Sequence, residues 1–142
     1  MREIKFRAWD KTNKWMDNEF SIHADGCIYQ DARRRWDISD IAIESAYDDL
    51  EIMQFTGLLD KNGKEIYESD VLNKKTTYEN NMSDKRFQPA TQINVGFEQG
   101  NFIDKNSGRT LYDAMRTISS YGVKVWTNYE IMGNELENPD LL

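Results

Sequence analysis

The chain predicts a mainly β or α+β fold, an antiparallel, barrel-like twisted sheet built from hairpins with one or two short helices. Three observations lead there. Short runs alternate apolar and polar residues with the period of two that turns one face of a strand toward a core. Asp25-Gly26 and Asn62-Gly63 separate such runs, and these dipeptides tolerate the positive φ that a tight reversal needs. Only Leu111–Tyr121 shows a helical stripe with its own start and stop signals.

Glu3–Trp9 opens the chain as a strand, with Ile4, Phe6 and Ala8 on one face and Lys5, Arg7 and Trp9 on the other. Asp10–Lys14 is a polar turn, after which Trp15-Met16 can pair back on the first strand. Phe20–His23 and Cys27–Tyr29 flank Ala24-Asp25-Gly26 as a second hairpin. Asp31–Asp37 is charged and irregular, and Ile38–Tyr47 fits a short helical or turn segment while also satisfying strand alternation through Ile41, Ile43 and Ser45.

Glu51–Leu58 returns to β character, and the Asn62-Gly63 reversal leads into Glu65–Tyr67 and Val71-Leu72. Residues 73–92 nearly lack aliphatic side chains, which predicts an exposed, variable excursion. Ile93–Phe97 and Asn101–Ile103 bracket Glu98-Gln99-Gly100, another hairpin signal. Thr110 can cap the Leu111–Tyr121 helix, with Asp113 answering from three residues on, and Leu111, Ala114, Met115 and Ile118 form its apolar stripe before Gly122 stops it. Val123–Trp126 and Tyr129–Met132 follow as strands, and the tail turns near Asn138-Pro139.

A length of 142 residues suits one domain, 1–142, with a core large enough to need neither disulfide nor metal. Hydrophobic residues at 39% and aromatics at 12% exclude a disordered chain. A net charge of −7 sets a mean field that repels phosphate backbones, so nucleic acid is not the default partner. The opening MREIKFRAWD contains no apolar signal-peptide core and no window approaches a membrane span, which leads to the expectation of a cytoplasmic protein with no membrane partner. The single cysteine, Cys27, has no internal disulfide partner.

Chemistry-bearing groups are sparse. His23 and Cys27 lie across a predicted turn, yet two ligands fall short of a zinc site, and no nucleophile signature accompanies the one histidine. Asp48, Asp49, Glu51, Glu65, Glu68 and Asp70 would make a carboxylate-dependent hydrolase only by converging in one pocket, and solvated strand edges are the preferred reading. No Gly-rich loop implies a nucleotide. The expectation is a non-enzyme with no catalytic residues, no metal and no cofactor.

Arg33, Arg34, Arg35 and Trp36, joined by Lys74 and Lys75, are the candidate binding residues and would serve a small-barrel surface for nucleic acid. Three adjacent arginines cannot all face one way, so a solvated loop is the simpler reading. Trp9, Trp15, Trp126 and Tyr129 fall within predicted strands and read as core or subunit-interface packing.

Three blocks of the sequence, MREIKFRAWD at the start, MQFTGLLDKNGKEIYESDV in the centre and YEIMGNELENPDLL at the end, resemble the signature blocks of the YopX family, encoded mostly by phages and prophages of Gram-positive bacteria. The resemblance implies a phage or prophage origin, a β-rich domain with barrel-like character, and a homo-oligomer. The aromatic-rich strands and the lack of catalytic groupings add the expectation of an accessory protein that acts by binding or assembly, with a second copy or a host or phage protein as partner. The resemblance carries over no catalytic or binding residue. It also leads one to expect Gly after the acidic residue of the central block, where this chain has Ser69; if that position has positive φ, Ser69 is strained.

Overall fold

A computed structural model describes residues 3–18, 20–22, 28–30, 50–74, 91–119, 122–125 and 129–142. These residues are mostly β, in antiparallel sheets with one short α-helix, and one of the sheets curls into a half-barrel. The chain divides into two compact units, Lys5–Gln54 and a second formed by Met1–Ile4 with Phe55–Leu142.

In the Lys5–Gln54 unit, β1 (Phe6–Asp10) pairs antiparallel with β2 (Trp15–Asp17), as predicted, placing Asp10 opposite Trp15 and Trp9 opposite Met16. β3 (Phe20–Ile22) and β4 (Ile28–Gln30) form the second hairpin, whose Asp25-Gly26 turn lies outside the described residues. β1 begins at Phe6 rather than Glu3, and Ile4 is exposed. Ala8, Trp9 and Asp10 are all buried, so the end of β1 is covered on both faces and the expected one-sided alternation holds only at its start. Trp9 stands opposite Glu51 of β5 (Leu50–Leu59), whose Met53 is also buried.

The second half of β5 pairs with β6 (Glu65–Tyr67) through Phe55↔Tyr67 and Leu59↔Glu65, with a register irregularity between them. Gly57 sits inside it at φ +85, and Thr56 fills the gap in the ladder: its Oγ1 donates to the Ile66 carbonyl at 2.8 Å and accepts from Leu58 N–H at 3.2 Å. β7 (Asp70–Lys74), β8 (Gln92–Glu98), β9 (Asn101–Asp104) and β12 (Tyr129–Asn134) make a sheet in the order β12-β7-β8-β9. Between them come α1 (Leu111–Met115), β10 (Arg116–Ser119) and β11 (Gly122–Val125). The core of this unit gathers Ile66, Leu72, Ile93, Val95, Leu111, Ala114, Met115 and Tyr129.

Three expectations change. The helix ends at Met115, not Tyr121: Arg116–Ser119 pairs antiparallel with Gly122–Val125, and Gly122 is a strand residue rather than a helix stop. Thr117 and Ile118 are β-branched and lose rotamer freedom in a helix, and Ile118 stands opposite Val123 across the hairpin. Of the excursion expected at 73–92, Asn73 and Lys74 complete β7 and Gln92 starts β8, while residues 75–90 lie outside the described residues. At Asn62-Gly63 the chain does reverse, but only Gly63 has positive φ, and the Asp60 and Lys64 backbones close a three-residue loop with a bulge rather than a two-residue turn. The two-residue form occurs instead at Gln99-Gly100, where both residues have positive φ.

Candidate functional site

Four aspartates are buried among the described residues: Asp10, Asp60, Asp70 and Asp104. Asp10 and Asp104 end strands, Asp70 starts one and Asp60 directly follows one, each next to a reversal, and a buried carboxylate is tolerated only where donors surround it. Asp10 Oδ1 accepts the N–H groups of Thr12 at 2.9 Å and Asn13 at 2.8 Å, while Oδ2 accepts Asn13 Nδ2 at 2.8 Å and Trp15 Nε1 at 3.2 Å. Asp60 Oδ1 accepts from Asn62 N–H at 2.7 Å and Lys64 N–H at 2.9 Å. Asp104 Oδ1 accepts from Asn94 N–H at 3.2 Å and Asn106 N–H at 3.1 Å, and its Oδ2 from the Ser107 hydroxyl at 2.6 Å.

These three turns share one plan. Each Asp carbonyl also accepts an N–H from a residue of positive φ three or four positions on: Lys14, Gly63 and Gly108. The residue after each Asp is a lysine that reaches a glutamate: Lys11 to Glu51 at 3.4 Å, Lys61 to Glu130 at 3.0 Å, and Lys105 to Glu135. Ion pairs this open to solvent contribute little, about 0–1 kcal/mol each. The carboxylate, drawing on several N–H groups at once, does the shaping.

Asp70 belongs to a different reversal. Its Oδ2 accepts Tyr67 N–H at 2.9 Å and its Oδ1 the Asn134 side-chain amide at 3.3 Å. Ser69, where the family resemblance led one to expect Gly, stands at φ 64, so the condition for strain at that position is met. Its N–H donates to the Val95 carbonyl and its own carbonyl accepts from Glu135 N–H, both at 2.9 Å.

The electrostatics follow from these bonds. The Asn13 backbone N–H, then the Asn13 side chain, hold the Asp10 carboxyl below its ordinary value, against the opposing effect of burial. Burial is the largest single influence on Asp60 and would raise it, but the N–H groups of Lys64, Asn62 and Ile131 together bring it below its ordinary value. Burial pushes the Tyr129 hydroxyl up and the Lys74 ammonium down. Carboxylates held ionised by main-chain donors are poor proton donors at neutral pH.

Of the acids considered for hydrolysis, Glu51 meets Lys11 in one unit; in the other, Glu65 accepts the Tyr67 hydroxyl at 2.8 Å, Glu68 lies in the turn before β7 and Asp70 accepts Tyr67 N–H. Asp48 and Asp49 lie outside the described residues. No group of three or more His, Cys, Asp or Glu is placed to hold a metal ion among the described residues. Of the candidate binding residues, only Lys74 is described, half-buried at the end of β7; Arg33, Arg34, Arg35, Trp36 and Lys75 fall outside, as do His23 and Cys27.

Trp9 and Tyr129 are core, as expected of them, whereas Trp15 is 42% exposed; Trp126 is outside the described residues. Further apolar side chains reach solvent at Leu59, Phe97, Tyr112 and Met132. Sequence reading passed over the recurring Asp-Lys opening of residues 10–11, 60–61 and 104–105, although the repetition, each time followed by Asn within three residues, is visible in the chain. Among the described residues, no helix is long and apolar enough to cross a membrane.

The family model described as "YopX protein" matches residues 5–142. No curated protein matches the chain. Among solved structures, the crystal structure of protein EF1440 from Enterococcus faecalis is similar at 23% identity and a TM-score of 0.58, covering 100% of this chain and 99% of that one. At that identity the likeness shows the fold alone.

Proposed function

The chain belongs to the YopX family, and we propose that it acts by binding or assembly rather than by catalysis, as an accessory protein of phage or prophage origin in the bacterial cytoplasm. The phage setting rests on the family resemblance. The contact role is carried by the β8–β9 hairpin, where Phe97 is 44% exposed yet fixed against Phe102, ring centroids 5.0 Å apart and edge-on at 61°. A rigid aromatic at the surface offers contact area at low entropic cost, which is why such residues anchor interfaces. The buried aspartates support the same reading, because their lone pairs are directed into turns.

Light scattering over a concentration series, paired with pull-down from host lysate, tests this with the wild-type chain and Phe97→Ser. The expected result is either a mass above that of one chain or a retained protein, lost in the variant. A strict monomer that retains nothing would remove the proposal. Anisotropy titration with labelled DNA at low salt separates the alternative partner: binding there that survives Phe97→Ser would point to nucleic acid instead.

A further inference from the structure

β12 is the terminal strand of its sheet, and a terminal strand presents a row of N–H and C=O groups on which another chain can add a strand. Here that outer side is met by a turn. The Tyr129 carbonyl accepts Lys61 N–H at 2.8 Å, and Ile131 N–H donates to Asp60 Oδ2 at 3.3 Å. The same turn reaches Glu130 twice, through Lys61 Nζ at 3.0 Å and Asn62 Nδ2 at 3.3 Å. Asp60 therefore has two tasks: one oxygen shapes the turn through Asn62 and Lys64, and the other docks it on β12. The Asp10 turn has the same plan, but its carboxylate is bonded to residues of its own hairpin.

We propose that the Asp60 turn is a stopper on the outer edge of β12, and that it keeps a second copy of this chain from adding its own β12 there. A second copy is the fitting occupant because two such edges, related by a two-fold axis, would offer each other the same groups, the Tyr129 carbonyl and the Ile131 N–H. The one charge on this strand, Glu130, is itself engaged by the turn through Lys61 and Asn62, and Met132 beyond it is uncharged and 45% exposed, so the edge's protection rests on the turn staying docked.

Asp60→Asn tests it. The amide keeps one acceptor oxygen for the turn and presents a donor to Ile131 N–H, so the turn should undock. Hydrogen exchange should then show the Ile131 amide opening roughly tenfold faster in dilute solution. Light scattering should show the mass rising with concentration above that of the wild-type chain, and adding Met132→Lys should return the mass to the wild-type value. Asp10→Asn should leave both readouts at wild type. If Asp60→Asn fails to fold, Lys61→Pro carries the test, because proline suits the second position of such a turn and removes the N–H that Tyr129 accepts. Wild-type exchange at Ile131, or fast exchange without any gain in mass, would overturn the proposal. Both readouts compare variants with wild type at β12, so they stand apart from whatever Phe97 binds.

Discussion

Ser69 shows how a single backbone angle can be read. At φ 64 its Cβ crowds the following carbonyl, a cost of about 1–2 kcal/mol that glycine avoids. The position is retained because both main-chain groups are bonded, to Val95 and to Glu135. Ser69→Gly should raise the urea midpoint, with a gain in unfolding free energy of up to about 1 kcal/mol after the greater unfolded-state freedom of glycine is set against the relieved strain; a lower midpoint would mean that the serine side chain contributes more than the strain costs. The strain could be anticipated because the family resemblance pointed to glycine. The turn carboxylates could not: an Asp in sequence looks the same whether its oxygens meet water or three N–H groups. Which of these occurs depends on the φ of Lys14, Gly63 and Gly108, and lysine gives no hint of a positive φ.

Among the elements, reversals were more legible than their exact form. The pattern found β6 and most of β5, β8, β9 and β12, missing Gly133 and Asn134 at the end of β12. The helix was legible at its start, where Thr110 Oγ1 accepts Asp113 N–H at 3.1 Å and donates to the Asp113 carboxylate at 2.8 Å. Its end was not, because Ile118 satisfies the helical period through Leu111, Ala114 and Met115 and equally serves a strand; pairing with residues 122–125 decides the matter. A five-residue helix has little stability of its own and depends on burying Leu111, Ala114 and Met115. Thr110→Ala should cost about 1 kcal/mol of stability by chemical denaturation, and an unchanged midpoint would show that the cap is dispensable.

For the molecule as a whole, the three blocks that suggested the family turn out to be strand neighbours. The opening block supplies β1, which pairs with the first half of β5, and the central block's β7 pairs with β12 of the closing block. Gly133 at the β12 bulge lies so close to Asn138 and Leu141 that a Cβ would come within 2.5 Å of the Asn138 side chain. The blocks thus have a structural reason to occur in one chain, as strand partners and the turns beside them. The candidate basic patch stayed illegible for a different reason: three consecutive arginines carry no periodicity from which their neighbours in space could be inferred, and they lie outside the described residues.

The claim underlying the whole reading is that the Asp10 and Asp60 carboxylates hold their turns as anions. Because the folded-state values of Asp10 and Asp60 lie below the unfolded one, their stabilisation is present above the ordinary carboxylate value of 3.8 and is lost as pH falls beneath it. Carboxyl-carbon NMR across an acid titration reads this directly. Asp10 and Asp60 should titrate below 3.8, with unfolding following their protonation. Titration of either one well above that value, toward neutrality, would be the behaviour of an acid–base catalyst and would contradict the claim.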